Sequence, residues 1–173
     1  MANKNNPKKL NITAVRNQAK QVDEHVDIDF NEYDGSHFVV RLFPFFSKKG
    51  RSNVIEELRK DIVEIQTKKI DFPDKLMPDF LIYHAVMEFS DFPRPKTDDI
   101  KKKIAYFYQV IETKYFRDVT EHLVESEVSV LWQMVLKMVE MNNKLQSTIN
   151  QSQALMKNIQ EKNGLNGTQT DAE

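Results

Sequence analysis

Four histidines, His25, His37, His84 and His122, carry the side chains whose charge changes nearest neutral pH. No two of them have a short spacing suited to one metal ion. His84 and Glu88 stand one helical turn apart and can face each other, but no second histidine completes a zinc site of the metalloprotease kind. His84 therefore reads as a partly buried structural residue. His122, between Glu121 and Glu125, reads as helix surface. Asp27, Asp29 and Asn31 resemble the start of a calcium loop. That loop needs glycine at its sixth position and glutamate at its twelfth, where this chain has Glu32 and Phe38. The three residues fit the polar face of a strand instead.

Other chemistries are poorly served. The chain has no cysteine, which removes disulfides, thiolate metal sites and cysteine nucleophiles. Four glycines in 173 residues leave no room for a glycine-rich phosphate loop, and no serine nucleophile elbow occurs. The carboxylates mix with basic residues, as in Glu56, Glu57, Arg59, Lys60 and Asp61, the pattern of a solvated, ion-paired helix face. No catalytic residue, cofactor or metal site is expected, and the chain is expected not to be an enzyme. Net charge is −1, so no global field draws it to nucleic acid or to an acidic membrane. Basic clusters at Lys8-Lys9, Lys48 to Arg51 and Lys101 to Lys103 are local. Tyr106, Phe107 and Tyr108 follow the last, but consecutive aromatics on a helix point in different directions and do not form one stacking platform.

The elements that must position these residues follow from periodicity. With 40% apolar and 29% charged residues, the chain is long enough for one domain with a core. Residues 1–10 read as a disordered basic arm with no apolar run for a signal peptide. A globular helical domain is expected over 11–141. It opens on a weak helix, Asn11 to Val22, with a thin apolar edge of Ile12, Val15 and Ala19. Its basic residues Arg16 and Lys20 are best read as solvated.

A β-hairpin is expected over 26–43. Val26, Ile28 and Phe30 alternate with acidic or polar residues, and the return strand carries Phe38, Val40 and Leu42. A two-residue turn at Asp34-Gly35 would put the two apolar sets on opposite faces. A three-residue loop, Tyr33-Asp34-Gly35, pairs Phe30 with Phe38, Ile28 with Val40 and Val26 with Leu42. It also puts Gly35 at the left-handed bulge position, so this loop is preferred. Asp27 then opposes Arg41 on the wet face.

Helices should follow. Lys48 to Arg51 reads as an exposed loop, Asn53 with Glu56 as a helix start, and Val54, Leu58, Ile62 and Ile65 as a stripe running to about Lys68. Pro78 suits the first turn of a helix whose segment Phe80 to Phe89 is apolar on most sides, hence central. Thr97 reads as the cap of a further helix lined by Ile100, Ile104, Phe107 and Ile111. A shorter helix spans about Tyr115 to Val124.

The last third is distinctive. From Ser126 to Lys162 there is neither proline nor glycine. Leu131, Met138, Leu145, Ser152 and Ile159 keep a seven-residue step, and Met134, Met141, Thr148 and Leu155 supply the second seam position. One helix of ~50 Å results at 1.5 Å per residue. Residues 142–163 are expected to form a projecting amphipathic helix and 164–173 a disordered tail. The fold class is mainly α with a small N-terminal β-hairpin. Met134, Met138, Met141, Leu145, Ile149, Leu155, Met156 and Ile159 are the expected protein-interaction stripe. Flexible methionines tolerate varied partners. Self-association through this helix is an alternative use.

The order of segments carries a resemblance. It includes a hairpin with an Asp-Gly turn, the exit Phe43-Pro44-Phe45-Phe46, and an amphipathic helix. Next come Phe80-Leu81-Ile82-Tyr83-His84-Ala85-Val86-Met87-Glu88-Phe89, a lysine-led helix, and Tyr115-Phe116-Arg117-Asp118-Val119. Over about residues 25–140 this layout resembles the tail assembly chaperones of long-tailed bacteriophages of Gram-positive hosts. The resemblance implies a non-enzymatic, mostly helical protein of the host cytoplasm. It implies binding to the tape measure protein and help for tail tube subunits that polymerise round it. No residue motif transfers. A structural phage component (scaffold, head–tail connector or minor tail subunit) and a small DNA-binding regulator are the other functions weighed. No stretch approaches a membrane span.

Overall fold

Alternating apolar and acidic residues build the only sheet among the described residues. The computed structural model describes residues 9–165, and the side chains among them except those of Ala154 and of 157–165. The expected arm at 1–10 and tail at 164–173 thus fall mostly outside the described residues. The chain divides after Leu131 into two units.

In the first unit, Asn11 caps helix α1 (Ile12–Lys20), its carboxamide oxygen accepting from the Ala14 N–H at 2.8 Å. A 3-10 turn at Gln21–Asp23 follows, and no residue of either element is buried. Strands β1 (Val26–Asn31) and β2 (His37–Leu42) pair antiparallel. Phe30 lies opposite Phe38, Ile28 opposite Val40 and Val26 opposite Leu42, with Asp27 opposite Arg41. This is the register of the three-residue loop. Gly35 has φ +83°, which an L side chain rarely adopts, and its N–H donates to Glu32 O at 3.0 Å. Ile28, Phe30, Val40 and Leu42 are buried, so one face of the hairpin is core.

Helix α2 (Lys48–Thr67) corrects two expectations. Lys48 to Arg51 is not an exposed loop but its first turn. Asn53 is not its cap; Ser47 is, with its hydroxyl accepting from the Gly50 N–H at 3.0 Å. The reason is tertiary. Phe46 and Phe89 stack with ring centroids 3.9 Å apart and planes 2° from parallel. The α2 backbone passes so close to this stack that a Cβ on Gly50 would collide with the Phe89 ring. Glycine here reads locally as a breaker, yet it is what lets the helix approach. At the other end Lys69 takes the left-handed conformation at φ 51°, and Ile70 N–H closes back to Ile65 O at 2.9 Å.

Helix α3 (Met77–Phe89) has Pro78 in its first turn and buries Phe80, Leu81, Tyr83, His84, Ala85, Val86, Met87 and Phe89. It is the central helix, as its composition predicts, and it packs against α2. Helix α4 (Ile100–Ile111) is capped by Asp99, not Thr97. Asp99 accepts from Lys101 N–H at 2.9 Å, while Thr97 accepts from Asp99 N–H two residues earlier. Its buried line is Ile100, Ile104, Phe107 and Val110; Ile111 is half-buried, one residue off the helical stripe. Helix α5 (Lys114–Glu121) starts at the Thr113 cap, and it stops short of Val124.

Helix α6 (Glu125–Leu165) opens in the first unit, where Leu131 is buried and Glu127 meets Arg51 at 2.9 Å. It continues as the second unit. The fold is thus mainly helical, with one two-stranded hairpin and a long C-terminal helix.

Two substitutions should move stability in opposite directions. Gly50→Ala is expected to cost about 1–3 kcal/mol by overpacking against Phe89. Lys69→Gly is expected to gain about 1 kcal/mol by relieving the left-handed backbone. Urea unfolding of both variants against the parent checks the signs.

Candidate functional site

One cluster of titratable side chains lies in the core, though not in the expected pairing. His84 does not face Glu88, which instead accepts from the Asn53 carboxamide at 2.8 Å. His84 turns to α2, where its Nε2 lies 3.5 Å from Asp61 Oδ2. Asp61 is 1% exposed. It was expected on a solvated face, but the buried line of α2 runs Val54, Leu58, Asp61, Ile65, and Asp61 sits within it. Lys103 of α4 reaches in to meet Asp61 Oδ1 at 2.9 Å. A carboxylate, an imidazole and an ammonium group from three helices thus converge in the core.

The surroundings of His84 set its protonation. His84 packs edge-on to Phe80 with ring centroids 4.7 Å apart. Burial pushes its pKa down to about 4, and the Lys103 charge adds to that. Glu57 pulls weakly the other way. Asp61 and Lys103 already cancel each other, so an imidazolium would be a net buried charge. His84 is therefore neutral at pH 7. Its Nε2 has no hydrogen-bond partner and is sealed from solvent. A recess of about 130 Å3 lies beside the trio, lined in part by Tyr83, His84, Arg94 and Lys103. The geometry ties α2, α3 and α4 together. His122 lies on the surface of α5's end, its Nδ1 2.8 Å from Asp118 O. His37 approaches Asp29 at 2.9 Å on the wet face of the hairpin.

The residues expected to form an interaction stripe all lie on α6, in the second unit. At 100° per residue, Met134, Met138, Met141, Leu145, Ile149, Leu155, Met156 and Ile159 fall within an arc of about 120°. Met134 and Met138 are half-buried. Met141, Leu145, Ile149, Leu155 and Met156 are exposed, each by 48% or more. The side chain of Ile159 lies outside the described residues. Thr148 and Ser152 interrupt the arc with hydroxyls, and Thr148 turns its own back to Lys144 O at 3.0 Å. Off the arc, Glu140 and Lys144 pair at 2.6 Å and Gln146 donates to Asn150 at 3.1 Å, the i,i+4 contacts of a solvated helix face. Leu136 and Val139 are also exposed but lie outside the arc. Among the described residues, no helix is long and apolar enough to cross a membrane.

The YomO family profile matches residues 12–172, and the chain belongs to that family. The SPbeta prophage-derived uncharacterized protein YomO of Bacillus subtilis strain 168 is 26% identical over 109 residues, 63% of this chain. The alignment spans 62% of that relative's length. No solved structure matches the chain. The family and its prophage relative support a phage-derived protein.

The buried trio sets a prediction with two arms. Lys103→Met leaves Asp61 charged and unpaired and should cost about 3–5 kcal/mol, whereas Asp61→Leu with Lys103→Met should recover most of that loss. Acidification has a definite sign. The folded pKa of His84, about 4, lies below the ordinary 6.5, so the unfolded chain binds the extra proton. Stability should be complete above pH 6.5 and fall as pH drops toward 4, by on the order of 3 kcal/mol from this group. In His84→Leu that component should be missing from urea unfolding curves taken between pH 7 and pH 4.

Proposed function

We propose that this member of the YomO family is a phage tail assembly chaperone. It is a non-enzymatic helical protein that binds the tape measure protein in the host cytoplasm and helps tail tube subunits assemble on it. The exposed arc of Met141, Leu145, Ile149, Leu155 and Met156 carries this proposal. Five large exposed apolar side chains stand on one line of helix, spanning ~22 Å from Met141 to Met156, and such a contiguous apolar line suits a protein–protein contact. Their shape fits another helix, laid along the arc so that its own apolar stripe is shielded. Methionine at 134, 138, 141 and 156 lets the line repack against partners of differing shape. The polar flanks, rich in Asn, Gln and Ser, add little charge, so they place no electrostatic bar on a partner. The phage origin and the layout of hairpin, central apolar helix and lysine-led helix support the same function.

Co-expression tests it. With the parent protein present, the tape measure protein from the same phage should move into the soluble fraction. Leu145→Asp with Ile149→Asp changes two exposed positions and should leave the fold intact. It should weaken the complex about 100-fold, or about 2.7 kcal/mol, and return the partner to the pellet. A tape measure protein that stays insoluble beside the parent overturns the proposal. So does stoichiometric incorporation of this chain into purified particles, which would mark it as a structural component.

A further inference from the structure

The outer edge of β2 is left half-finished. Phe43 N–H donates to Phe89 O at 2.8 Å, and Asp91 N–H donates to Arg41 O at 3.1 Å. Leu42 and Ser90 form the bridge between these bonds. The odd-numbered residues of β2 therefore turn their backbone groups away from β1, and residues 89–91 act as a fragment of third strand. The fragment stops for two reasons. Asp91 satisfies Arg41 N–H with its carboxylate, at 2.7 Å, rather than with its backbone. The residue due opposite Val39 is Pro93, which has no N–H to give. Val39 and His37 keep the same outward parity, and no ladder partner meets their N–H and C=O among the described residues.

A recess of about 360 Å3 lies beside this open edge. Phe30, Phe38, Phe92 and Tyr115 line it, and Phe38 is 53% exposed although it belongs to the inner face of the hairpin. Asp91 is the one charged group in the lining. One of its oxygens is used by Arg41 N–H, and no cation pairs with it among the described residues. Glu32, Asp34 and Asp29 add negative charge toward the turn. Glu32 is held by the Tyr115 hydroxyl at 2.5 Å.

We infer that this edge binds a short extended segment of a partner protein, with one large apolar side chain in the recess and a basic residue beside Asp91. The open N–H and C=O groups of His37 and Val39 supply the backbone pairing of an added strand. Alternation of side chains along that strand puts every second residue over the recess. Charge selects the occupant. A second copy of this hairpin would bring Asp91 and the acidic turn against their own likes, whereas a lysine- or arginine-bearing strand meets the unpaired carboxylate. This surface belongs to the first unit and does not depend on the stripe of α6.

The probe is a capped heptapeptide that alternates lysine with valine around a central phenylalanine, titrated into the full-length protein and followed by backbone amide NMR. Shifts should concentrate at His37, Val39 and Arg41, and the amides of His37 and Val39 should gain protection from exchange. A peptide with glutamate for lysine, and one N-methylated on the residues that face β2, should each bind at least about tenfold more weakly. Asp91→Asn keeps the acceptor for Arg41 N–H and should weaken the lysine peptide by about tenfold. If that variant fails to fold, the two altered peptides still decide. Equal binding of the N-methylated peptide, shifts confined to α6, or shifts at Val39 that grow with protein concentration alone would each overturn the inference.

Discussion

A buried carboxylate governs how the helices of the first unit meet. Asp61 on α2 is almost wholly out of water and is held by Lys103 of α4, with His84 of α3 against its other oxygen. An uncompensated charge at that depth is expensive, while a paired one contributes little net stability over a well-packed apolar substitute. The value of the pair therefore lies in register. Sliding α2 one turn along α4 would strand Asp61 in an aromatic core built from Phe80, Tyr83 and Phe107. The observed arrangement of the three helices satisfies it. That arrangement in turn sets Gly50 under the Phe46–Phe89 stack and brings Ser90 to the edge of β2.

What the sequence makes legible here is what depends on local period and turn chemistry. The hairpin register follows from alternation plus the one position where only glycine is comfortable, Gly35. The central helix is readable because it is apolar on most sides. Two of the corrections come from tertiary contact overriding local preference. Lys48-Lys49-Gly50-Arg51 looks like a loop until Phe89 is seen to require a residue without a side chain at 50. Asp61 looks solvated among its charged neighbours, although the steps 54, 58, 61 and 65 already put it on the buried line. Lys103 gives the same signal, three residues after Ile100, and a pair of opposite charges on two apolar stripes is what could have revealed the contact. The cap at Asp99 rather than Thr97 is a shift of two residues that backbone geometry alone decides.

The candidate sites divide along the same line. The arc on α6 is a matter of period, so it can be read from residue spacing, and its exposed members stand where that spacing puts them. What lies on the arc is not encoded in it. The recess beside β2 is the reverse case. It arises because Pro93 ends a ladder begun by residues fifty positions away from β2 in the chain, and no local pattern announces it. The two surfaces offer different chemistry, one an apolar line suited to a helix and the other an acidic edge suited to a strand.

The α6 arc is the centre of the functional proposal, and amide hydrogen exchange tests it most directly. Exchange across α6 is to be measured in the full-length protein alone and in the presence of helical segments of the tape measure protein. Slowed exchange over Met141 to Met156 on mixing, with no change at the hairpin, is the predicted result. Unchanged exchange over those residues while the segments remain bound elsewhere on the protein would contradict it.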